Sequence, residues 1–135
     1  MRVAPELRAA AAQRAGLRCE YCRIHEDDAA FSHEVDHIIS RQHGGETTAD
    51  NLAYACMICN RFKGPNLSSA DASGAIVQLF NPRSQPWADH FRLSGAVIQP
   101  VTATGEATAK LLRLNAAERV TERTVLQRLG RYPRD

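Results

Sequence analysis

The sequence predicts an α+β protein built around a thiolate metal staple, and three observations carry that prediction. Its four cysteines occur as two C-x-x-C pairs, Cys19/Cys22 and Cys56/Cys59. Between the pairs the chain reads as strand, Gly-Gly loop, strand and helix start. Beyond them the pattern changes to a β-hairpin followed by two helices.

The elements follow in order. Pro5 suits a first helical position and Gly16 a helix end, so 5–15 reads as an N-terminal helix, with Leu7, Ala10 and Ala11 inward and Arg8 outward. Val35 to Ile39 carries the β-branched residues of a strand. Gly44-Gly45 permits a tight reversal, and Asn51 to Ala55 reads as a second strand. "CMICNRFKG" turns into a helix stopped by Gly64-Pro65. The small-residue run 66–74 reads as a connector. It divides an N-terminal helix and core (1–65) from a C-terminal α/β extension (66–135), expected to pack on the core as one unit. In the extension a hairpin is expected at Ser94-Gly95 and a helix over 104–115. Asn115 is expected to cap a last helix carrying Val120, Val125, Leu126 and Leu129, since Glu118 lies three positions on.

Composition narrows the class. No run of about 18 apolar residues is present, so no membrane span is expected. Charged residues interrupt the alanine-rich N-terminus, which argues against a signal peptide and makes a cytoplasmic location the default. Disulfides are then not expected, and paired C-x-x-C turns read as a tetrahedral zinc site. Four buried thiols or redox cysteines are the other reading. The 33 residues between Cys22 and Cys56 exceed ordinary ribbon spacing, so something is inserted between the two turns. Residues 19–63 hold four Lys/Arg against eight Asp/Glu, which suits a cation. The rest of the chain holds thirteen against seven, which suits a polyanion.

The insert carries the chemistry. Asp36 and Asn60 each offer a hard oxygen for Mg²⁺ or Mn²⁺. His37 is a base that titrates near neutral pH. Adjacent strand residues point to opposite faces, so a local kink is expected to turn Asp36 and His37 toward one ligand.

The stretch "EVDHIISRQHGGETTADNLAYACMICNRFKG" (34–64) resembles the HNH endonuclease family in its zinc-stapled ββα-metal form. The acid-His pair Asp36-His37, Gly44-Gly45, Asn51, Cys59-Asn60 and Lys63-Gly64 carry the likeness. Two positions depart from the commonest pattern: Asn60 stands where the family name has its last His, a variant the family also uses, and Ser40 stands where Pro is frequent. The resemblance implies metal-dependent phosphodiester cleavage in DNA. It makes His37 the general base, Asp36 and Asn60 the ligands of Mg²⁺ or Mn²⁺, and Asn51 the residue that holds the catalytic loop. It makes Cys19, Cys22, Cys56 and Cys59 the ligands of a structural Zn²⁺. Arg61 and Lys63 are candidates for substrate phosphates and read equally as solvated helix residues. RNA is not excluded as substrate, and oligomeric state stays open. The alternative is a zinc-stapled nucleic-acid-binding module with weak or no catalysis, or an RNA-cleaving, toxin-type nuclease.

Five further readings concern individual side chains. Glu34 reads equally as support for the site or as a solvated strand end. His25 is an alternative zinc ligand. Arg119 and Arg123 read as a solvent face salt-bridged to Glu118 and Glu122, or as a track for phosphates. Trp87 and Phe91 are expected in the core, and His90 has no evident partner.

Overall fold

The computed structural model describes residues 3–134. Pro5 opens helix α1 (Pro5–Ala15), and Gly16 closes it in the left-handed region, φ 64°. The buried face of α1 is not the one the alanines suggest. Ala11 is enclosed, Ala10 is exposed, and Arg8 turns inward to donate to the His33 carbonyl at 2.6 Å with its guanidinium over the Tyr54 ring. An arginine stem covers a ring as well as an aliphatic residue does, provided its head finds an acceptor.

Strands β1 (Glu34–His37) and β2 (Leu52–Ala55) pair antiparallel, with Asp36 opposite Ala53 and His37 opposite Leu52. Both are shorter than the sequence suggests. Ile38 and Ile39 leave the ladder for the loop, and Asn51 ends a 3-10 turn (Ala49–Asn51) that enters β2. All four residues of β2 are buried. Ala53 and Ala55 belong to one buried cluster with Cys56 and Cys59 at the head of helix α2 (Met57–Lys63). Small side chains there leave room for the helix against the hairpin.

The presumed connector is itself structure. Strand β3 (Ser68–Ala70) pairs antiparallel with β4 (Ile76–Gln78), and the Asp71 carboxylate accepts from Ser73 N and Ala75 N to build the turn. Asp and Ser side chains that bond their own backbone make such turns stable without apolar content. A second hairpin, β5 (Phe91–Ser94) and β6 (Val97–Pro100), reverses at Gly95 as expected. Helices α3 (Ala103–Leu111) and α4 (Ala117–Arg128) follow. Asn115 does not cap α4, whose N-cap is Ala116. The Asn115 amide instead brackets β6, accepting from Ile98 N and donating to Ile98 O, each at 2.8 Å. An unpaired strand edge offers that donor-acceptor couple, and a primary amide matches it.

The buried cluster runs through both halves, from the four cysteines, Tyr21 and Ile38 to Phe80, Phe91, Ile98, Leu112, Leu114 and Tyr132. Phe91 is buried and Trp87 packs against it. His90 finds a partner in Thr102, Nδ1 to Oγ1 at 2.7 Å. Among the described residues no helix is long and apolar enough to cross a membrane.

Candidate active site

The four cysteines lie with their sulfurs within 4.8 Å of one another, all buried and none in a disulfide. The Cys22 and Cys56 sulfurs are 3.7 Å apart. Four thiolates at about 2.3 Å from a tetrahedral zinc stand about 3.8 Å from each other, so the cluster fits such an ion. Each C-x-x-C turn folds its own amides onto its first sulfur. Tyr21 N and Cys22 N donate to Cys19 Sγ, and Cys59 N donates to Cys56 Sγ, which also makes Cys56 the N-cap of α2. Hydrogen bonds from Cys19, Cys56 and Cys59 hold the Cys22 thiol well below the usual thiol range, while burial pushes Cys19 and Cys59 up. His25 stays outside the cluster, its Nδ1 accepting from Asp27 N.

The C-terminal half closes over this staple. Tyr132 OH donates to Cys22 O and Trp87 Nε1 to Tyr21 O, both at 2.8 Å, and Arg83 pairs with Glu20. Arg119 and Arg123 correct both sequence expectations for α4, since they are buried at 6% and 2% exposure while Val125 and Leu129 face solvent. Arg119 Nη2 lies 3.1 Å from Cys59 Sγ and 3.8 Å from Cys56 Sγ, and its Nη1 donates to Leu112 O. Arg123 donates to Ala96 O and Asn115 Oδ1. Thiolates and unpaired helix-end carbonyls demand donors, and that demand outweighs the helix's apolar stripe.

Above the staple, α2 sets Asn60 and Lys63, one turn apart, against β1. Glu34 and Asp36, two residues apart, share the facing side of the strand. Asn60 Nδ2 donates to Glu34 Oε1 at 3.0 Å. Asp36 Oδ2 meets Lys63 Nζ at 3.0 Å and Tyr21 OH at 3.3 Å. Burial raises the Asp36 pKa above the ordinary carboxylate value, and the Lys63 charge opposes that rise. Lys63 is the second correction. Its side chain is 2% exposed, and its ammonium also reaches His37 O at 3.1 Å and Ile38 O at 3.3 Å, so its three donors serve the protein itself rather than a substrate phosphate. Arg61 is exposed and has no charge partner among the described residues.

The anticipated kink between Asp36 and His37 is absent, because the ladder runs regularly through both. His37 therefore leaves β1 on the other side, with Nε2 at 2.8 Å from Thr47 Oγ1. Burial lowers its pKa, Asp36 opposes, and the charges of Arg41 and Lys63 lower it further. The loop between the strands is clamped by Asn51. Its Oδ1 accepts from Ile39 N at 2.9 Å, and its Nδ2 donates to Ile39 O and Glu46 O at 2.9 and 2.8 Å. Gly45 is required where the loop crosses itself, since a Cβ there would stand 1.7 Å from Ile39 O.

Thr47 and Arg119 were not legible as site residues, one in a polar loop and the other 60 positions from its sulfur. Glu34 was legible in part, through its period-two relation to Asp36.

A strand pair packed against a short helix, with a four-cysteine staple at the helix head and an Asp-His step on the first strand, makes a ββα unit. Residues 19–66 match the family described as HNH endonuclease, and this segment, about a third of the chain, is an HNH domain. No curated protein and no solved structure matches the chain.

Proposed function

We propose that the protein is a metal-dependent DNA endonuclease with His37 as its general base. One observation supports it above others. The segment that matches the HNH endonuclease family carries Asp36, His37, Asn51 and Asn60 together, with Asn60 held on Glu34 and His37 on Thr47. His37 leaves β1 on the face opposite Asn60, so the two act on one phosphate only across the free edge of the strand. β1 is an edge strand with one unpaired side, so a phosphodiester lying along that edge meets side chains from both faces.

With the Nε2 proton donated to Thr47 Oγ1, the lone pair of His37 Nδ1 is left to take a proton from water. The water oxygen then bonds to phosphorus as the bond to the leaving 3′-oxygen breaks. Asn51 holds the loop that carries Thr47, and so fixes the imidazole without touching substrate. Three hard oxygens carry no hydrogen bond among the described residues: Asp36 Oδ1, Glu34 Oε2 and Asn60 Oδ1. They fit Mg²⁺ or Mn²⁺. Such an ion, when bound, neutralises charge on the scissile phosphate and the departing oxygen. Arg61 is placed to meet a flanking phosphate. The cysteines would hold one zinc ion, which stabilises the fold and leaves no open position for substrate. Reduced thiols suit a cytoplasmic location.

One observation favours the second reading, a binding module with little catalysis: Lys63 already compensates the Asp36 charge. Nicking of supercoiled DNA with Mg²⁺ or Mn²⁺ separates the two. His37→Ala is expected to lose about 10²–10⁴-fold in rate at unchanged DNA affinity. Equal rates for wild type and His37→Ala would refute a general-base role. Cleavage of matched RNA but not DNA would reassign the substrate.

A further inference from the structure

The four sulfurs are not equivalent. Cys19 Sγ accepts from two amides, Cys56 Sγ from Cys59 N and Arg119, and Cys59 Sγ from Arg119. Cys22 Sγ contacts Cys56 Sγ, and among the described residues no N–H reaches it. Access divides them differently. Cys19 and Cys59 are sealed at 0% exposure, while Cys22 and Cys56 keep 3% and 5%. Both of the latter line a cavity of about 120 Å³ walled by Phe31, Met57 and Ile58, with Arg119 and Glu122 also on its wall. Phe31 is 63% exposed at the rim. Access excludes Cys19 and Cys59, and the donors on Cys56 exclude it in turn. A thiolate that receives N–H donors holds its electron pair more tightly and attacks carbon more slowly.

We propose that Cys22 is the reactive thiolate of the staple, the position at which a small uncharged electrophile of the α,β-unsaturated carbonyl class enters and opens the metal site. The apolar wall favours a neutral reagent over a charged one. In the step, the Cys22 sulfur pair bonds to the β-carbon. The C=C π pair moves toward the carbonyl as an enolate, and water supplies a proton to the α-carbon. The sulfur becomes a neutral thioether and the staple loses one anionic ligand. Because the metal binding energy is folding energy in such sites, a reagent far from the scissile chemistry would switch off whatever the HNH domain does.

The inference rests on the zinc reading of the cluster, and metal analysis of the purified protein reports on that reading separately. The test treats the zinc-loaded full chain with less than one equivalent of N-ethylmaleimide. The singly modified fraction is mapped by peptide mass spectrometry while a chromogenic chelator follows zinc release. The expected result is a first adduct at Cys22, with zinc leaving at the same rate constant. A first adduct at Cys19, Cys56 or Cys59, an even spread over all four, or no adduct overturns it. Arg119→Gln removes the guanidinium from Cys56 and Cys59, leaving Cys56 with the Cys59 amide as its one N–H donor among the described residues. Labelling of Cys56 should then rise about tenfold, the rate equivalent of one hydrogen bond, and an unchanged order of labelling counts against the inference. Ala30→Trp narrows the exposed mouth without touching a thiolate. It should slow the Cys22 adduct at unchanged zinc content, and an unaltered rate refutes entry through this cavity.

Discussion

Lys63→Met tests the charge balance of the site directly. Lys63 and Asp36 form an enclosed ion pair, with side chains 2% and 6% exposed and Nζ to Oδ2 at 3.0 Å. Methionine keeps most of the stem and deletes the ammonium. Asp36 is left with a single donor, Tyr21 OH, and the carbonyls of His37 and Ile38 each lose one. A buried carboxylate stripped of its partner costs about 3–5 kcal/mol. Asp36→Asn combined with Lys63→Met removes the charge too, so the double variant should recover about 2 kcal/mol of that loss. The pH dependence has a fixed sign. The Asp36 pKa already lies above its unfolded value, and losing Lys63 raises it further. A carboxyl whose folded pKa is raised penalises the native state above that pKa, and the penalty disappears as the pH falls and the group takes up its proton. Lys63→Met should therefore come closest to wild type in acid. Urea unfolding of the zinc-loaded protein at acidic and at neutral pH, without added Mg²⁺, measures all three quantities. A loss below about 1 kcal/mol, as for an exposed pair, or one equal at both pH values would refute the reasoning.

Three other outcomes follow from the same geometry. Gly45→Ala drives a Cβ into Ile39 O and toward the Asn51 amide, so it should break the loop clamp at about 2–3 kcal/mol, read by urea unfolding. Burial keeps His37 below the ordinary imidazole value, so it stays neutral further into acid. The acid limb of kcat/KM for DNA nicking should then fall below about pH 6.5, and a limb above that value would count against His37 as the base. Removing metal with a strong chelator should unfold the chain cooperatively, including the C-terminal half, because Arg119, Tyr132 and Trp87 all rest on the staple. Retention of the far-UV circular dichroism of α3 and α4 after zinc loss would contradict that coupling.

Much of the HNH domain was legible because its determinants are local. Two C-x-x-C turns, an Asp-His step and the Gly44-Gly45 reversal act within a few residues of themselves or across one hairpin, and spacing places them; the loop-holding role of Asn51 came from the family resemblance. The elements misread are those whose partners come from elsewhere. The 66–74 run looked like a linker because its hairpin is held by Asp71 and backbone rather than by apolar residues. Arg8 looked solvent-facing because the Tyr54 ring it covers lies on another element. Asn115 had the spacing of a helix cap but met a strand edge first.

The sequence by itself determined which side chains could bind metal and act as a base, since donor chemistry and the period-two alternation of a strand belong to the residues themselves. Only the tertiary structure decided how they are paired: Glu34 with Asn60, Asp36 with Lys63, His37 with Thr47, and Arg119 with the sulfurs of Cys59 and Cys56. A buried charge takes whatever complementary group the packed chain brings within about 3 Å, and no spacing rule reports a partner that arrives from another element.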